Sequence, residues 1–139
     1  MNGKVLIIGL SIVIGVFVIA VTSARTPKGT TDQSGAVLYA RNCASCHGMN
    51  LEGQANWQTQ NPDGSWPAPP HNATGHTWHH SDEYLRSVIL MGGAAVTGTQ
   101  TNMMPGFQSV LSVNQVNAIL TYIKSTWPEE IRTQQQSMQ

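Results

Sequence analysis

Cys43-Ala44-Ser45-Cys46-His47 is the stretch on which the reading of this chain turns. Two thiols three residues apart can each add across one vinyl group of a porphyrin, so a single turn of chain makes two thioether bonds. The histidine that follows is then held beneath the ring, where an imidazole nitrogen can ligate iron. Cys-x-x-Cys-His is accordingly the attachment signature of c-type haem. These are the only two cysteines in the 139 residues, so no separate disulfide framework competes for them.

Other uses of the pair fit less well. A thioredoxin-like redox pair needs a βαβ context, and no strand pattern is found. A zinc site needs two further ligands, which His71, His76, His79 and His80 could supply. A disulfide across so short a loop would stabilise little.

Composition narrows the class. Lys and Arg number seven, as do Asp and Glu, and charged residues make up only 10% of the chain. This excludes a basic nucleic-acid binder and an acidic solvating tail. Net charge encodes no strong steering of a charged partner.

Residues 5–22, VLIIGLSIVIGVFVIAVT, carry no charge. As a helix they would span roughly 27 Å, close to the hydrocarbon thickness of a bilayer. Residues 1–24 therefore read as an N-terminal transmembrane anchor; Val21-Thr22-Ser23-Ala24 also reads as a small-residue cleavage site, leaving a removed signal open. Basic residues flank the run on both sides, and the haem motif decides orientation, because c-type haem is attached outside the cytoplasm. The expected location is the cell membrane, single-pass, with the haem domain on the periplasmic or extracytoplasmic side. Residues 25–33, which include RTPKGTT, read as a linker.

Residues 34–131 read as one all-α domain of a few helices around the haem. SGAVLYARN predicts a short helix ending at the haem motif, with Tyr39 in the core. Residues 48–80, rich in Gly, Pro, Asn and Trp, predict a long loop wrapping a ligand, in which Trp57, Trp66 and Trp78 cover porphyrin or are simply buried. Ser81 caps a helix to about Met91 with Leu85, Val88 and Ile89 as its apolar stripe, and Gly92-Gly93 ends it. Residues 94–108 predict a second loop. Ser112 and Gln115 form a capping box for a helix with Val116, Ile119, Leu120 and Ile123 on one face, stopped by Pro128. Residues 132–139 read as a polar, loosely held tail.

The second iron ligand is sought among the methionines. Met49 lies two residues after His47 and cannot pass around the porphyrin edge. Met91 ends a helix, where core packing is the simpler account, and Met138 lies in the tail. That leaves Met103 and Met104. Pro105 holds the residue before it extended, and neighbours on an extended chain point to opposite sides, so one of the two faces iron. Met104 is the choice and Met103 the alternative. Thioether sulfur favours reduced iron, and a filled coordination sphere suits outer-sphere electron transfer over catalysis.

CASCH, then MPGF, then NQVNAILTYIKSTW resembles the class I c-type cytochromes over residues 34–127. PAPPHNATGHTWHHSDEYL and WPEEIR look like a bacterial subgroup of small membrane or exported members. The resemblance implies that Cys43 and Cys46 bind one covalent haem c, that His47 and Met104 ligate its iron, and that the N- and C-terminal helices cross. It implies a one-electron carrier in a respiratory or related chain with redox protein partners, and no enzyme activity. The long loop over residues 50–80 departs from the family pattern.

His71, His76, His79 and His80 invite a second metal site, a structural role bonding loop carbonyls, propionates or indoles, or displacement of the methionine. Two other classes stay open: a Cys/His protein trafficking copper or zinc, and a haem-based sensor with a labile distal ligand.

Overall fold

The computed structural model describes residues 34–139; the anchor and linker expected over residues 1–33 lie outside the described residues. Among the described residues there is no strand, and no helix is long and apolar enough to cross a membrane. The helices are α1 (Gly35–Asn42), α2 (Ala44–His47), α3 (Asp82–Met91), α4 (Gly93–Thr97), α5 (Val113–Ser125) and α6 (Glu129–Gln136), with a 3₁₀ turn at Thr77–His79.

Local signals set the ends of the main helices. The Ser34 and Ser81 side chains accept from Val37 N–H and Tyr84 N–H, and Asp82 and Glu83 sit in the first turn of α3, where the helix dipole favours them. Ser112 and Gln115 form the full capping box at α5. The core follows the helical periodicity: Leu38 and Tyr39 from α1, Leu85 and Ile89 from α3, and Val116, Ile119, Leu120 and Ile123 from α5 are buried together. Trp127 closes this core.

α1 packs closely against α5. Gly35 permits the approach: a Cβ there would overlap the Ala118 carbonyl and lie 2.9 Å from Tyr122 Cβ.

Three expectations need correction. Residues 94–108 are not all loop, because the chain turns at Gly92 and resumes as α4. Met91 is 51% exposed and is no part of the core. The C-terminal residues are not loosely held. Pro128 stops α5 and also starts α6, whose Glu129 and Glu130 suit a helix N-terminus. Gln135 is buried, and its amide donates to the His80 carbonyl at 3.1 Å and to Asp82 Oδ1 at 2.7 Å. Lys124 Nζ donates to both Asp82 oxygens at 2.9 Å, and Arg132 donates to the Trp127 carbonyl.

This junction yields a pH prediction. Burial pushes the Asp82 carboxyl up, but the bonds from Lys124 and Gln135 and the nearby positive charges outweigh it, leaving the group below its ordinary value. A depressed folded pKa contributes stability above the unfolded value that is lost as pH falls through the folded one. The melting temperature should therefore fall below about pH 4, and Asp82→Asn should flatten that fall. Gln135→Ala should cost about 1 kcal/mol in denaturant titration, since it removes the amide donor to the part-buried His80 carbonyl while Lys124 still bonds Asp82.

Candidate haem site

The Cys-x-x-Cys-His segment forms where α1 runs into α2. Cys43 N–H bonds the Tyr39 carbonyl at 2.8 Å, and His47 N–H bonds the Cys43 carbonyl at 2.9 Å, so helical geometry continues through the motif. Residues three and four apart share a helix face, which groups the two thiols and the imidazole. Cys43 is half-buried and Cys46 exposed, and both are free thiols. Burial and the neighbouring Cys46 push the Cys43 thiol up to about 11.

Gly48 turns the chain out of α2 with φ +81°, a conformation that L side chains avoid. Tyr39 O–H anchors this turn by donating to the Gly48 carbonyl at 2.9 Å. The following loop is clasped back on itself: Gly53 N–H bonds the His47 carbonyl, Gln54 N–H the Ala68 carbonyl, and His71 N–H the Leu51 carbonyl, each at 2.8 Å. The clasp brings the Pro69 carbonyl to within 2.9 Å of His47 Nδ1.

That bond defines the histidine. A carbonyl only accepts, so Nδ1 carries the proton and donates it. Burial lowers the pKa of the ring against the opposing effect of the Pro69 bond, so His47 is neutral at pH 7. The remaining nitrogen, Nε2, then holds a free lone pair, as in metal-binding histidines whose other nitrogen is tied to a carbonyl.

On the other loop, Met104 and Met103 separate as the extended backbone before Pro105 requires. Met103 is 70% exposed, whereas Met104 is half-buried against the core. The loop is strapped down at both ends: Gly93 N–H bonds the Met104 carbonyl and Phe107 N–H the Ile89 carbonyl, both at 2.9 Å.

The four loop histidines are not brought to one point. His71 stacks on His47 with ring centroids 4.0 Å apart. His76 stacks on Trp57, His79 on Trp78, and His80 on Tyr84, with His76 meeting His80 edge-on at 5.6 Å. Among the described residues no three His, Cys, Asp or Glu side chains converge to hold a metal ion. Their common partner is thus an aromatic face, and for His71 also the Thr77 hydroxyl. Trp66 is 47% exposed, while Trp57 and Trp78 are half-buried. Trp127, whose role the periodicity of α5 does not foretell, donates its indole N–H to the His71 carbonyl at 2.7 Å.

An all-helical domain presenting two free thiols and a tied, neutral imidazole from one turn is built to hold a covalently attached porphyrin. The family model described as Cytochrome c matches residues 33–127, and the chain belongs to that family. No curated protein and no solved structure matches it. The cofactor is haem c, with Cys43, Cys46 and His47 as a single attachment site. The chain is a haem-based electron carrier, and such a carrier exchanges electrons with redox protein partners.

Proposed function

We propose that this chain carries one electron at a time in a respiratory or related electron-transfer chain. In this reading Cys43 and Cys46 hold the haem by thioether bonds, while His47 and Met104 ligate its iron. Residues 5–22 tether the domain to the membrane, with the haem on the extracytoplasmic side. The observation that carries the reading is the 2.9 Å bond from His47 Nδ1 to the Pro69 carbonyl, which leaves Nε2 as the free donor of a buried ring beside the two thiols.

A second feature suits a propionate-bearing ring. Trp78 Nε1 is buried with no hydrogen-bond partner among the described residues, and Trp78 packs against the same core as Cys43 and Met104. An unmet buried donor is costly, and a carboxylate acceptor would relieve it. Bound here, haem c supplies a one-electron couple at iron. The protein's own residues would hold the ring through Cys43 and Cys46, offer the imidazole of His47 and the thioether of Met104 as donors, and keep water from that imidazole.

A redox titration of the purified holoprotein tests the reading. The expected result is a reversible one-electron Nernst curve and no carbon monoxide binding to the reduced protein at neutral pH. Tight carbon monoxide binding would instead favour a sensor with a labile distal ligand.

A further inference from the structure

His71 lies in the Pro-rich part of the long loop, 24 positions after His47, yet its ring is laid against the His47 ring. The centroids are 4.0 Å apart and the planes differ by 24°. Two imidazoles this close lie face to face, so rotation of the His47 ring out of its plane displaces His71. The Pro69 bond already restrains the His47 ring edge. Together, the bond and the stack restrict the ring in two independent directions.

The stack is effective only if His71 is itself held, and it is held from several directions. His71 Nδ1 and Thr77 Oγ1 share a hydrogen bond of 2.7 Å, and Thr77 is buried. The Tyr39 ring meets His71 edge-on at 6.3 Å. The His71 N–H bonds the Leu51 carbonyl, and its carbonyl accepts the Trp127 indole N–H. α1 and the 3₁₀ turn thus hold the His71 ring, while Trp127 and the loop clasp hold its backbone.

We infer that His71 is a positioning residue that sets the plane of the His47 imidazole, with Thr77 as the latch that sets His71. The inference rests on the reading that His47 ligates haem iron. The rotation of an axial imidazole about its bond to iron decides how its π orbital meets the two iron orbitals of matching symmetry. That rotation governs the distribution of unpaired spin over the porphyrin in the ferric state. A face-stacked neighbour fixes it, whereas a hydrogen bond at the ring edge alone permits rocking about the bond.

The test uses the full-length holoprotein and three variants: His71→Ala removes the stack, His71→Phe keeps an aromatic face without the Thr77 bond, and Thr77→Val keeps the stack but removes the latch, together with the longer 3.4 Å bond from Thr77 Oγ1 to the Pro70 carbonyl. The readout is the spread of the four porphyrin ring-methyl resonances in the ferric protein, with the reduction potential alongside. The inference expects a changed spread in His71→Ala, a smaller change in Thr77→Val and recovery towards wild type in His71→Phe. All three should keep the absorption spectrum of the same two axial ligands. A spread in His71→Ala that coincides with wild type, in a protein that does carry haem, overturns the positioning role and leaves the proposed function standing. If His71→Ala does not mature, Thr77→Val decides: a shifted pattern supports the latch and an unshifted one overturns it. Wild-type protein without covalent haem would overturn both.

Discussion

Met104→Ala should abolish the near-infrared sulfur-to-iron band, admit carbon monoxide to the reduced iron and lower the reduction potential. Met103→Ala should leave all three as they are. The contrast follows from the way the MPGF loop is strapped. Met104 has its carbonyl bonded by Gly93 N–H and its own N–H by Asn102 Oδ1, and its side chain packs against the core. Met103 points to solvent at 70% exposure, as the extended backbone before Pro105 requires. Axial ligands set haem potentials over roughly 0.8 V, so losing a thioether should lower the potential by on the order of 100 mV or more. A potentiometric titration of the two variants beside wild type measures this. Equal shifts in both variants would reverse the assignment of the ligand.

Gly35→Ala should be the most damaging single methyl addition in the helical core, with a loss of about 2–3 kcal/mol. The reason is backbone, not side chain. A Cβ at Gly35 would overlap the Ala118 carbonyl of α5, and a helix backbone cannot step aside as a flexible side chain can. Relief requires α1 to lift off α5. Since α1 runs directly into the Cys-x-x-Cys-His turn, lifting it would displace Tyr39, whose hydroxyl anchors Gly48 behind His47. Denaturant unfolding followed by both helical signal and haem absorbance should show the two transitions shifting together. A change below about 0.5 kcal/mol, the range of ordinary surface substitutions, would mean the crossing is looser than it looks.

Much of this is legible in the sequence because its causes are local. A serine at the head of a helical run caps it wherever it stands, so Ser81 marks α3, and Ser112 with Gln115 marks α5. Cys43, Cys46 and His47 need only helical spacing to share a face. What escapes is set by partners far along the chain. The TQQQ stretch looks like solvent-loving tail until Gln135 is seen to bond the His80 carbonyl and Asp82, more than fifty residues earlier. His71 reads as one of a cluster of four, yet the aromatic faces nearby disperse that cluster and place His71 alone on His47. Met91 has the spacing of a core residue but lies at the end of α3, where the chain turns at Gly92 and leaves it exposed. The one forward hint for α6 was composition: a proline followed by two glutamates is a helix start even after another helix has ended.

The most direct measurement is peptide mass spectrometry of protein matured in a host that attaches c-type haem. The peptide spanning Cys43 to His47 should carry one added haem mass that survives acid-acetone extraction, and Cys43→Ser with Cys46→Ser should remove it. An unmodified peptide from the matured wild-type protein, with both thiols free to alkylate, would contradict the account.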